Sequence, residues 1–231
     1  MSFHDRGLKF ADALANKYAL SVIVIIFSGL LLSNLSADPD LFARLAVGRL
    51  IVELGYLPHA DPFAFSPKKE IWVDHEWLSG LVFYLIYAGF SDIGLFVFKI
   101  LAMTATFCFL FSAQKLLYRQ RDFSIFVFSL IVLLDSLYAW ASTVRSQIFT
   151  YLFLSFYLYA FTRFKALKDM RLFLAAPVCM LIWANAHGGF VVGLGLHLIF
   201  IVFAVREKLF FHWSLFILSV AATAINPYGF L

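Results

Sequence analysis

Apolar residues gather in long runs broken at short polar points. The runs cover 18–35, 77–90, 93–113, 123–141, 148–161, 172–184, 190–205 and 210–225. Stretches of about 13 to 21 apolar residues carry the helical pattern of a membrane bundle, not the weaker alternation of barrel strands. The predicted fold is all-α, a polytopic transmembrane helical bundle of about seven spans.

The gap between the first two runs, residues 36–76, holds four of the six prolines and most of the turn signals, and reads as the first extracytoplasmic loop. Within it, residues 40–54 have an amphipathic pattern. Leu41, Phe42, Leu45, Ile51 and Leu54 can face lipid while Asp40, Arg44, Arg49 and Glu53 stay wet. Asp40/Arg44 and Arg49/Glu53 stand four apart, where opposite charges pair on a helix. The expectation is an interfacial helix.

Basic residues decide how the runs thread. They cluster at the N-terminus, at Lys115/Arg119/Arg121, at Arg163/Lys165/Lys168/Arg171 and at Arg206/Lys208. Lys and Arg in short loops mark the cytoplasmic face. All four clusters share that face only if residues 77–113 cross once, with 77–90 re-entrant or interfacial and the N-terminus cytoplasmic. A thin hairpin joined at Ser91-Asp92 would cross twice and split the polar motifs between faces.

Composition agrees with the pattern: 63% of residues are hydrophobic and 14% charged, outside the range of a soluble domain. The net charge of +4 sits beside the runs, which suits anionic lipid headgroups and points away from nucleic acid. Cys108 and Cys179 lie inside apolar runs and make no disulfide framework. The basic start, 1–17, lacks a cleavage site and leads into a retained first span. The ending at Leu231, without a polar tail, predicts a single transmembrane module, 1–231, that is the N-terminal part of a longer protein.

Ionisable groups near spans are costly, so those present draw the functional reading. Asp38-Pro39-Asp40 is a favoured helix start, with Asp38 as N-cap. The same carboxylates can serve as a general base or hold a divalent cation, and Asp40 is the freer of the two. In Asp74-His75-Glu76-Trp77, Asp74 can cap the next helix while His75 and Glu76 form an acid/base pair. Asp61-Pro62 reads as a turn. Lys99 and Asp135 lie at similar depth in consecutive runs, where an intramembrane ion pair would offset the cost of both charges. Arg145, with Gln147 beside it, offers a planar fork for phosphate. Asn185-Ala186-His187-Gly188-Gly189 is a tight turn whose Asn185 and His187 can border a cavity, and Gly189 with Gly193 allows close helix contact. Asn226-Pro227-Tyr228-Gly229 is a helix stop that places Asn226 near the same face.

The order of these motifs, together with Gly55-Tyr56-Leu57-Pro58, Asp61-Pro62-Phe63, Arg145-Ser146-Gln147 and Trp183-Ala184-Asn185, resembles the GT-C superfamily of lipid-dependent glycosyltransferases. The likeness is to bacterial multi-pass proteins related to the protein mannosyltransferase and aminoarabinose transferase branches. It implies a polyprenyl-phosphate-linked sugar as donor, an extracytoplasmic acceptor, and residence in the bacterial cytoplasmic membrane. It also implies Asp38 and Asp40 as the catalytic carboxylates, with Arg145 steadying the leaving phosphate. Gln147, Asn185, His187 and Asn226 are the further substrate contacts read from the motifs themselves. Relatives are generally longer. Two other classes fit the same residues. A transporter or flippase would rest on Lys99 and Asp135, and a non-catalytic assembly subunit would rest on the glycine packing face.

Overall fold

The computed structural model describes residues 38–65, 72, 74–117, 144–204 and 208–229. Among these the regular structure is all helical, with no strand. The first run, the run at 123–141, and with them Asp135, the N-terminal basic cluster, Arg119, Arg121 and Arg206, lie outside the described residues.

Helix α1, Pro39–Leu54, starts as its sequence requires. Asp38 stands extended at the N-cap and its Oδ1 accepts from the Asp40 N–H at 2.9 Å, while Pro39 occupies the first turn, where no donor is needed. Gly55 ends the helix in the left-handed conformation that glycine takes without penalty. One correction concerns its apolar face. Leu41, Val47 and Ile51 are buried against protein, and Phe42 and Leu54 are exposed, so the helix covers the bundle with one stripe instead of turning all five apolar residues outward.

Helix α2, Trp77–Leu117, is two arms joined at Ser91, whose φ of 56° and ψ of −155° are not helical. A straight helix would separate Phe83 from Phe98 by about 22 Å. Their rings instead stand 5.9 Å apart, so the chain folds back at Ser91. Both arms meet the start of α3, Gln147–Leu167: Glu76, one residue before the first arm, accepts from Ser146, and Phe83 and Phe98 each lie 6.0 Å from Phe149. Further on, Phe109 packs on Phe156 and Tyr159, so the second arm runs alongside α3 in the same direction. The first arm therefore begins and ends at one end of the bundle and only the second arm, residues 92–117, travels its length.

After α3 comes a short 3-10 helix, Arg171–Ala175, then α4, Ala176–Ala186, α5, Phe190–Ala204, and α6, Leu209–Thr223. By length and composition one described stretch, Trp77–Leu110, is apolar and long enough to cross a membrane, with a mean hydropathy of 2.1, and the fold-back at Ser91 divides it. The apolar helices of α4, α5 and α6 are shorter. Two clusters hold the helices together. One, around Leu41, Phe83, Leu95, Ile148 and Phe149, joins α1 and α2 to the start of α3. The other, around Phe161, Phe173, Trp183, Phe200 and Leu215, ties the rest of α3 to the later helices, with Phe161 and Phe200 stacked at 4.3 Å.

Glycine sets the closest approaches. A Cβ on Gly48 would lie 2.1 Å from the Gly80 carbonyl oxygen, so α1 and the first arm meet backbone to backbone. Gly189 is fitted in the same way against Thr150, and Gly193 against the Trp183 ring, which is the close contact expected from their spacing.

Candidate functional site

Four segments distant in sequence meet at the end of the bundle where α1, the first arm and α3 begin. Arg145, just before α3, reaches back to the cap of α1: its Nε donates to Asp38 Oδ2 at 2.6 Å and its Nη2 contacts the same oxygen. Asp40 Oδ2 stands 3.9 Å from that Nη2. The two carboxylates differ sharply in surroundings. Asp38 has 8% of its side chain exposed and both oxygens engaged, whereas Asp40 has 72% exposed.

A second group adjoins the first. Asp74, buried, accepts from Arg44 Nη1 at 2.6 Å and from the Glu76 N–H at 3.0 Å, capping the first arm. Arg44 Nε is also 3.7 Å from Glu76 Oε2. This corrects the expected Asp40/Arg44 pair. Arg44 turns to the buried carboxylate, where a charge is worth more to it than beside the solvated Asp40. The Arg49/Glu53 pair forms at 2.6 Å on the exposed face.

Glu76 lies between the groups. Its Oε2 accepts from Ser146 Oγ at 2.7 Å, and its Oε1 faces His187 Nε2 at 3.5 Å and His75 Nε2 at 3.9 Å. The tautomer of His187 follows from its other nitrogen. Nδ1 receives the Gly189 N–H at 2.9 Å and sits 2.8 Å from Thr150 Oγ1, which itself accepts from Trp183 Nε1. A nitrogen that accepts an amide N–H carries no proton, so the ring hydrogen is on Nε2, directed at Glu76. Burial, opposed by Glu76 and reinforced by His75, holds the imidazole below its usual pKa. In this state His187 is a donor, and Nε2 has no lone pair for a metal.

Several expected ligand contacts are structural. Asn185 is buried, accepting from Trp77 Nε1 at 2.8 Å and donating to the carbonyls of Leu181 and Ile225 at 2.8 and 3.0 Å. It joins the first arm, α4 and the end of α6, and has little capacity left for substrate. Asn226 is likewise spent, donating to Thr223 and Gly229 carbonyls and accepting from the Tyr228 N–H. Gln147 is half-buried in the first turn of α3, and His75 is mostly exposed. Lys99 is buried in the second arm, and the proposed partner Asp135 lies outside the described residues. Asp61 closes its turn by accepting from the Phe63 N–H at 2.8 Å.

A divalent cation at Asp38 and Asp40 would have to displace the Arg145 guanidinium from the oxygens it needs. Hard cations take six or more oxygens, and the described residues include no group of three metal-ligating side chains, so the donor set does not fit such an ion.

The sequence reading missed Arg44, Ser146, Thr150 and Trp183 as parts of this network. Ser146 stands between two residues that were singled out, and Thr150 sits one turn into the same helix, so helical spacing from Arg145 was the available signal. It also passed over His197 and His212. Both are fully buried in the aromatic cluster at the other end of the bundle, and their ring nitrogens find no hydrogen-bond partner among the described residues. Comparison with family models, with curated proteins and with solved structures gave no match for this chain.

Proposed function

We propose that the chain is an integral membrane glycosyltransferase of the bacterial cytoplasmic membrane, with its N-terminus cytoplasmic, about seven spans, and its acidic cluster on the outer face. It would move a sugar from a polyprenyl-phosphate donor to an extracytoplasmic acceptor. The observation that carries the reading is the meeting of Asp38, Asp40, Glu76, Arg145 and His187 at one end of α3. The basic residues Lys168, Arg171 and Lys208 share an open depression at the other end. Twenty steps along α3 separate the ends by about 30 Å, the thickness of a hydrocarbon core. The exposed faces between them are apolar, with Leu101, Val191, Phe203 and Ile217 all open to the surroundings.

In this reading Asp40 takes the proton of the acceptor hydroxyl as the new bond to the anomeric carbon forms. The bond from that carbon to the phosphate oxygen breaks, and polyprenyl phosphate leaves with the electron pair. Arg145, fixed on Asp38 through Nε and Nη2, keeps Nη1 without a hydrogen bond among the described residues, available to the departing phosphate. Asp38 is then a positioning residue. His187 and Ser146 orient Glu76 beside this group.

The test is Asp40→Asn in membrane vesicles supplied with a radiolabelled polyprenyl-phosphate sugar. Loss of the carboxylate should reduce transfer by about a hundredfold or more, the usual range for a general base, with the protein still in membranes. Transfer at the wild-type rate would refute the assignment. The buried Lys99 supports a transporter as the second reading, in which Lys99→Met abolishes substrate movement and Asp40→Asn does not.

A further inference from the structure

Opposite the acidic cluster, the end of α3, the 3-10 helix and the start of α6 line a wide, open depression of about 700 Å³. Three cations, Lys168, Arg171 and Lys208, stand at its mouth. One carboxylate lines it, Asp169, and that group is already engaged. Arg163 donates to it from Nε and Nη2 at 2.9 and 2.8 Å, the Arg171 N–H donates at 3.1 Å, and the Arg171 Nε lies 3.8 Å from its Oδ1. The mouth therefore carries a net positive charge. Its walls are apolar, formed by Leu167, Met170, Leu174 and Phe211.

Two features give the site a direction. Lys168 and Lys208 both take the left-handed backbone conformation, with φ of 56° and 53°, at the turns that bring the cations together. From Leu174 an exposed apolar stripe continues at spacing four through Val178 and Ile182, which are 58% and 38% exposed. It runs about 12 Å along α4 away from the cations.

We propose that this depression is a binding site for an anionic phospholipid, its phosphodiester between Arg171 and Lys208 and one acyl chain along Leu174, Val178 and Ile182. The chemistry distinguishes a lipid from free phosphate. A soluble anion would use the cations alone and leave the adjoining apolar stripe uncovered, whereas a lipid satisfies both. Basic pockets between helices at the cytoplasmic surface commonly serve this purpose. The inference rests on the membrane part of the proposed function and not on sugar transfer.

The experiment uses the full chain, extracted in a neutral detergent and titrated with phosphatidylglycerol or phosphatidylcholine, with bound lipid counted by native mass spectrometry. Wild type should retain phosphatidylglycerol in preference, and the double variant Arg171→Gln, Lys208→Gln should weaken that retention by about 30-fold, the effect of two surface cations. Lys165→Gln, outside the depression, should not change it. Equal retention by the double variant, or displacement of the lipid by millimolar inorganic phosphate, would overturn the site. Alkaline carbonate extraction separates the two failures: release of the chain as a soluble protein removes the membrane reading as well, whereas a membrane-retained chain with no lipid preference removes the site alone.

Discussion

Replacing Gly48 by alanine should separate α1 from the first arm of α2 and break the Arg44–Asp74 bond. The added Cβ would fall 2.1 Å from the Gly80 oxygen and 2.6 Å from its carbonyl carbon, both backbone atoms that cannot rotate away. Ordinary carbon–oxygen contact needs roughly 3.3 Å, so the elements must part by about 1.2 Å. The Arg44 Nη1 to Asp74 Oδ1 distance, 2.6 Å at rest, would then approach about 3.8 Å, beyond hydrogen-bond range. Overpacking costs about 1 to 3 kcal/mol and a weakened buried pair adds to it, against about 1 kcal/mol gained from alanine's better helix propensity. The net loss is about 2 kcal/mol, or a fall of roughly 4 to 8 °C in a chain of this size. Thermal unfolding of detergent-solubilised protein, followed by tryptophan fluorescence, measures it. Gly195→Ala is the control, because its Cβ would meet nothing within 4 Å while gaining the same propensity. Equal melting temperatures for the two variants would refute the close backbone approach and the argument built on it.

Two other perturbations bear on the fold-back and the histidine. Ser91 sits at φ 56°, ψ −155°, a region that glycine alone occupies freely, so Ser91→Gly should stabilise by about 1 kcal/mol and Ser91→Val should destabilise; a lower melting temperature for the glycine variant would contradict the turn. His187 is held below its ordinary pKa, so the unfolded chain binds its proton more readily than the folded one. The contribution is fully present above about pH 6.5 and is lost as pH falls through the lower folded value. His187→Gln should therefore flatten the acid side of a melting-temperature profile, and an unchanged slope between wild type and variant would count against the lowered pKa of His187.

Helix positions are largely legible in the sequence, and their partners are not. The start of α1 follows from Asp38-Pro39, a local device whose hydrogen bond spans two residues, and the apolar runs at 148–161, 190–205 and 210–225 coincide with α3, α5 and α6. Local charge spacing succeeds for Arg49/Glu53 and fails for Arg44, because the competing acceptor, Asp74, is thirty positions away and its burial appears only in three dimensions. Asn185 and Asn226 show the same limit. A polar residue beside a turn is visible as chemistry, but whether its hydrogen bonds are consumed by neighbouring carbonyls depends on how α4 meets the end of α6. The direction of His187 depends on Gly189 and Thr150 together, one a local contact and the other across two helices.

The fold-back at Ser91 also affects any attempt to assign sides to this chain. On the proposed membrane reading, an apolar stretch that returns to the level it left would add nothing to the parity of crossings, since Glu76 before it and Phe98 after it both lie at the head of α3. Scoring residues 77–90 as a full traverse would reverse the compartment inferred for every later connection, and reporter fusions placed on either side of that stretch should give the same signal.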